Sequence, residues 1–134
     1  MRDARRGISS RTPPVPSESH AEIDAWIRRR VMPDLQPIVR AVDASIRETN
    51  ASVRYAIKWN RAYYEVPELG WIIEVAPYDV SVNVVFLGGA DFDEPPPLGT
   101  TDRSRYTKVR TVDEALGAEM RRWIEQAQLV TGWR

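Results

Sequence analysis

The chain has 134 residues, in which 19 Lys plus Arg balance 19 Asp plus Glu, with 43% apolar residues and no cysteine; this suits one domain and is too short for two. Without cysteine there is no disulfide framework, thiolate nucleophile, iron–sulfur cluster or cysteine-type zinc site, and His20 is the one imidazole. The zero net charge lacks the cationic surplus usual in binders of nucleic acid or anionic membranes, so neither is expected as a partner.

Residues 1–18 carry Arg2, Arg5, Arg6 and Arg11 and then Pro13, Pro14 and Pro16, with almost nothing to bury. They are expected to form a flexible leader ahead of a single domain, 19–134. No apolar core follows Met1 and no apolar run approaches membrane length, so a soluble cytoplasmic protein is expected. Ser19-His20-Ala21-Glu22 has the form of a capping box, and Ile23, Trp26, Ile27 and Val31 recur at helical spacing until Met32-Pro33. Leu35, Ile38, Val39, Val42 and Ile46 give a second helical stripe that ends near Asn50.

From Val53 the period becomes two: Val53, Tyr55, Ile57 and Trp59 alternate with polar or small residues, which predicts a strand buried on one face. Gly70 opens a second strand, Trp71 to Ala76. Pro77-Tyr78-Asp79 turns it into a third, Ser81 to Leu87, as an antiparallel hairpin. Ala90 to Thr101, with Pro95, Pro96 and Pro97, reads as a long surface loop. Arg105 to Arg110 alternates again, and Thr111-Val112-Asp113-Glu114 caps a closing helix marked by Leu116, Met120, Trp123, Ile124 and Ala127. The expected fold class is therefore α+β: an antiparallel sheet of about four to five strands packed against two N-terminal helices and one C-terminal helix. Trp26, Ile38, Val42, Leu116, Trp123 and Ile124 are expected in the core.

Hydrolase elbows, phosphate-binding loops, dinucleotide fingerprints and paired-histidine zinc motifs are all missing, which disfavours catalysis. By strand parity Lys58 lies opposite Tyr55, Ile57 and Trp59, as a solvated charge or as the cation of a shallow pocket. Asn83 and Glu74 can share its face, while Tyr63, Tyr64, Trp59 and Trp71 are either core or the walls of an aromatic cleft. Arg103, Arg105, Lys108 and Arg110 form the densest basic segment, expected to pair with the acidic loop or the closing helix. Asp91, Asp93 and Glu94 are the densest acidic segment: solvated charge, or oxygen ligands for a hard cation.

Ile57-Lys58-Trp59-Asn60-Arg61-Ala62-Tyr63 is similar to the I-K-W-G-x-P-x-Y segment of the YdhG-like bacterial family, a domain of unknown function. Val82-Asn83-Val84-Val85-Phe86-Leu87-Gly88-Gly89-Ala90 resembles the family's V-N-L-x-F-x-x-G-A strand end, and Leu98-Gly99 followed by Arg105-Tyr106-Thr107-Lys108-Val109 resembles a later stretch; together with the two-helix opening and the closing helix the resemblance covers about residues 20 to 130. Asn60 replaces the family's glycine, Ala62 its proline, and Asp102 stands where a basic loop residue is usual. The resemblance implies a YdhG-like α+β fold and a frataxin-like iron chaperone, with weakly bound iron on Asp91, Asp93 and Glu94. The expected function is thus a small binding module without catalytic chemistry. The alternative is a small-ligand pocket or enzyme site with Lys58 as cation, Trp59 and Tyr63 as walls, and Asn83 and Arg105 as orienting donors. Trp71-Ile72-Ile73 and Val84-Val85-Phe86-Leu87 would leave Ile72, Val85 and Leu87 on the outer sheet face, for which either a homodimer or the Ala90–Thr101 loop is the expected cover.

Overall fold

In the computed structural model, which describes residues 12–134, the two N-terminal stripes form α1 (Ala21–Arg30) and α2 (Gln36–Thr49). The capping box at Ser19 does not close. His20 is the cap residue, and the Ser19 hydroxyl accepts the Ala21 amide at 3.3 Å. Val31 leaves the helix in extended conformation, and Met32, directly before Pro33, keeps the extended ψ that the proline requires. After a single 3₁₀ turn, Pro33–Leu35, α2 starts with Pro37 in its first turn, where a missing amide hydrogen costs no helix bond.

Five strands follow, β1 (Arg54–Lys58), β2 (Arg61–Val66), β3 (Gly70–Pro77), β4 (Val82–Phe86) and β5 (Arg105–Val109), in an antiparallel sheet whose spatial order is the chain order. The periodicity alone passed over β2. Trp59 and Asn60 both have positive φ, 52° and 58°, and make the two-residue turn that pairs Lys58 with Arg61. Turns of this hand suit the twist of a hairpin but usually carry Asn-Gly or Asp-Gly, so Trp-Asn did not advertise one. Asn60 is further held because its Oδ1 accepts the Trp26 indole N–H at 2.9 Å, joining the hairpin to α1.

The C-terminal helix is split. Thr111 caps a single turn, α3 (Val112–Ala115), by accepting the Glu114 amide at 3.1 Å, while the Glu114 carboxylate takes the Arg110 amide. Gly117 then caps α4 (Ala118–Ala127). The interruption rotates Leu116 out of the stripe, and it is exposed; the other expected core residues, Trp26, Ile38, Val42, Trp123 and Ile124, are buried. The helices and the inner sheet face enclose the main core, with Phe92 from the long loop packed edge-on against Phe86 at 5.6 Å.

Two expectations about the sheet's outer surface are corrected. Tyr64 pairs with Ile73 but Glu65 pairs with Trp71, so Ile72 is an extra residue on β3, a bulge. The bulge lets Ile72 join Ile73 in the helix-side core, 2% exposed, where strict alternation would have sent it outward. Leu87 is also buried, and Val85 is partly covered. The patch expected to drive a homodimer is therefore closed within one chain. Both sheet edges carry a short bridge as well, Ser17 on Tyr55 of β1 and Leu98 on Tyr106 of β5. Pro14 is buried and Ser17 exchanges two backbone hydrogen bonds with Tyr55, so part of the expected leader belongs to the folded unit; residues 1–11 lie outside the described residues.

A polar cluster ties this layer together. Asp43 of α2 is buried at 4% exposure, accepts the Tyr64 hydroxyl at 2.8 Å, meets His20 Nε2 at 2.8 Å and lies 3.6 Å from Arg47. Burial pushes the Tyr64 phenol well above the ordinary tyrosine value, and the Asp43 charge and hydrogen bond push the same way. Folding selects the neutral phenol, so its contribution is complete below pH about 10 and is lost as pH rises toward the raised value. Tyr64→Phe should cost about 1–3 kcal/mol at neutral pH by stripping a donor from a buried carboxylate. Thermal melts between about pH 8 and 11 should fall less steeply for the variant; equal slopes would show that Tyr64 contributes nothing to the alkaline limb.

Candidate functional site

The register assigns the side chains of the outer sheet face in rows that cross the strands. One row holds Lys58 opposite Arg61 and, on the far strands, Ala76 opposite Asn83 and Asn83 opposite Lys108. The next holds Ala56, Tyr63, Glu74, Val85 and Tyr106, each opposite its neighbour. Ala56, Tyr63, Trp71 and Leu87 form a second apolar cluster on this side, flanked by Val85 and Trp133. Helices cover one face of the sheet; this cluster is the floor of the other.

What reaches over that floor is the C-terminal segment. Trp71 and Trp133 exchange backbone hydrogen bonds at 2.7 and 2.8 Å, and the Gly132 amide bonds Leu69 O at 2.8 Å. The segment thus continues the sheet beside β3 at the level where β4 has turned away through Gly88. Three glycines make room for it. A Cβ on Gly132 would strike the Trp71 carbonyl, one on Gly70 the Trp133 carbonyl, and one on Gly88 the Thr131 carbonyl. Arg103 fastens the same segment from the side, donating to Thr131 O and to Asp91 Oδ2, both at 2.7 Å.

Trp133 then stacks on Trp59, with ring centroids 6.4 Å apart and planes 23° from parallel, and Tyr63 packs edge-on against both Trp59 and Trp71. Trp59 is 41% exposed, because the left-handed turn carries it past the end of β1. It does not stay with Tyr55 and Ile57, as parity would have it. The Lys58 ammonium lies 4.7 Å over the Trp59 ring and donates to Thr12 O at 3.0 Å. Beside it Arg61 holds the buried Glu74 carboxylate at 2.6 Å and approaches the Tyr78 hydroxyl. Burial by itself would lower the Arg61 pKa, but the Glu74 charge and hydrogen bond outweigh it and keep the guanidinium charged.

Of the five side chains expected around a pocket, Lys58, Trp59, Tyr63 and Asn83 therefore share the outer face. Arg105 does not: it pairs with Phe86, lies on the helix side of the sheet, and turns its guanidinium to Ser104 O and Asp102 O. Tyr64 likewise belongs to the core, leaving Tyr63 alone of that pair in the cleft. Trp133 was missed, since a lone Gly-Trp after the last helix carries no period; the only trace is the glycine beside it.

The acidic segment is divided rather than gathered. Asp91 binds Arg103, and Asp93 takes a hydrogen bond from Gln126 at 3.2 Å. Asp93 and Glu94 line a groove of about 620 Å³ against α4, together with Glu119, Arg122 and Trp123. Among the described residues no group of three acidic or histidine side chains is placed to hold a metal ion, so the expected iron site of Asp91, Asp93 and Glu94 is not assembled. No described helix is long and apolar enough to cross a membrane.

No protein-family model, curated protein or solved structure matches the chain. The site must therefore be argued from its own geometry. Gly132→Ala tests the part of it that sequence did not announce. The added methyl has no space against Trp71, so the segment should detach, costing about 2–4 kcal/mol in lost backbone bonds and uncovered tryptophan. Urea unfolding and a red shift of the native tryptophan emission report it; an unchanged midpoint and spectrum would mean the segment is not held there.

Proposed function

We propose that this protein is a binding module without catalytic chemistry, and that its ligand is a small planar anion taken at the Trp59 corner of the outer sheet face. The observation that carries this reading is Trp59 itself: a large, 41% exposed ring, backed by Trp133 and carrying the Lys58 ammonium 4.7 Å above it. Lys58 is a removable cover. An exposed cation–π contact stabilises by about 0.5–1 kcal/mol, whereas a charge-assisted hydrogen bond to an anion is worth about 1.5–3 kcal/mol. A planar anion therefore gains by drawing the ammonium onto its charged group and taking its place on the indole. The buried Arg61–Glu74 pair beside it satisfies its own charges, so it shapes the corner without competing for the ligand.

Thymidine monophosphate is a suitable probe, since it joins one planar ring to one phosphate. Titration should quench the tryptophan emission of the wild type. Trp59→Ala should weaken binding roughly tenfold or more, as loss of one base–aromatic stack does, and Lys58→Met should weaken it about fivefold or more, in proportion to a charged hydrogen bond. Lys58 is at a strand end, so Lys58→Met should shift the melting temperature little, whereas Trp59→Ala also removes the stack on Trp133 and should lower it modestly. Absence of any saturable quenching, or equal affinity in both variants, would sink this reading.

A further inference from the structure

The chain contains only two lysines, Lys58 and Lys108, and both stand on the outer sheet face, at opposite edges of the same row. Between them lies Arg61, whose charge Glu74 takes, so the two lysines mark a line that runs across the strands rather than along any one of them. β1 and β5 are separated by four strand spacings, about 19 Å. The Lys108 end repeats the chemistry of the Lys58 end: its ammonium sits 5.8 Å from the Tyr106 ring and 6.0 Å from the Tyr78 ring, within 3.5 Å of Asn83 Oδ1. Tyr78 is 47% exposed.

The carboxylates of this face are spoken for. Glu65 is held by Arg54 and Glu74 by Arg61, both at 2.6 Å, and among the described residues neither lysine meets a carboxylate. The row therefore carries two uncompensated ammonium groups, one at each end and each beside an aromatic ring, with the neutralised Arg61–Glu74 pair between them. Zero net charge and the scattering of these residues through the sequence hid it, because the measure that matters is the charge on one surface.

We infer that this face binds single-stranded nucleic acid laid across the strands, its phosphates on Lys58 and Lys108 and its bases stacked at the two aromatic ends. The inference rests on the Trp59 reading above and extends it from one ring and one charge to a polymer. A duplex is the wrong partner, because its bases are already stacked and cannot reach Trp59 or the tyrosines. Stacking on aromatic side chains beside a cationic track is the sequence-tolerant mode of single-strand binding, and a span of roughly four nucleotides or more is the lower end of such sites. No base edge is read by this arrangement, so little sequence preference is expected.

Fluorescence anisotropy with labelled fifteen-residue oligo(dT), oligo(U) and a duplex of equal length decides the matter, with thymidine monophosphate as the one-site control. Two phosphate contacts should make the logarithm of the oligo(dT) affinity fall with the logarithm of salt at a slope of about −1.4. Lys108→Ala should reduce that slope by about 0.7, and Tyr78→Ala should weaken oligomer binding roughly tenfold. Neither should change the thymidine monophosphate affinity read from tryptophan quenching, which reports the Trp59 end, and both side chains are at the surface, so a circular dichroism melt should confirm that folding is intact. The oligo(U) arm distinguishes RNA from DNA as the natural source, either of which satisfies the inference. If thymidine monophosphate binds but Lys108→Ala and Tyr78→Ala leave the oligomer unaffected, the inference is overturned and the one-site reading stands. Duplex binding as tight as oligo(dT) would also overturn it, by showing charge without stacking. Binding of neither probe ends both.

Discussion

A sheet with helices on one side has a second face, and the structure depends on how that face is closed. Here the closure is a backbone pairing, Trp71 with Trp133, made possible because β4 bends away at Gly88 and leaves β3 without a neighbour at that level. Unpaired amides over an apolar floor would be costly, since each buried donor left alone forfeits about 1–3 kcal/mol. The C-terminal segment supplies the missing partners, and in the same step sets an indole over Tyr63 and Trp71. Packing and hydrogen bonding thus have one solution, and the candidate site is built from it.

The bulge at Ile72 is the other half of the arrangement. Three large apolar residues in succession cannot all be served by strict alternation. Doubling one residue sends Ile72 and Ile73 inward together and leaves Trp71 outward, where the C-terminal segment meets it. The chain buries two carboxylates by two different means. Asp43 is answered by Tyr64 and His20 between helix and sheet; Glu74 is answered by Arg61 on the outer face. Each sits on a different side of the sheet, and each fixes a neighbouring aromatic residue in place.

Helix faces were legible because 3.6-residue periodicity is a property of many residues at once, and one exception such as Leu116 does not erase it. Strand faces were legible wherever alternation ran unbroken, as in β4. The misread elements fall where one or two residues reset the phase. The positive φ of Trp59 and Asn60 ended β1 early and concealed β2, the bulge misassigned Ile72, and Gly117 turned Leu116 outward. Of the pocket residues, Lys58 and Asn83 were placed by parity along unbroken strands, while Trp59 reaches the same face only through the turn that breaks its parity and Tyr63 through the unrecognised β2. Arg105 failed because parity within β5 says nothing until the register against β4 is known, and Phe86 is the partner that decides it. The acidic trio failed for a related reason: neighbours in sequence share a loop without sharing a ligand, and Asp91 had a better partner in Arg103.

The same register would couple stability to the proposed binding. Trp133 belongs to the segment that closes the sheet and also backs the ring on which a ligand would lie. A ligand that binds only while Trp59 and Trp133 are stacked adds its free energy to the closed state and none to a state in which the segment is released. At a concentration one hundred times its dissociation constant, such a ligand contributes about 2.7 kcal/mol, comparable to the cost of losing the segment's backbone bonds. On the proposed reading, occupancy of the outer face and order of the C-terminal segment are two readings of one equilibrium, tied by the pair of hydrogen bonds between Trp71 and Trp133.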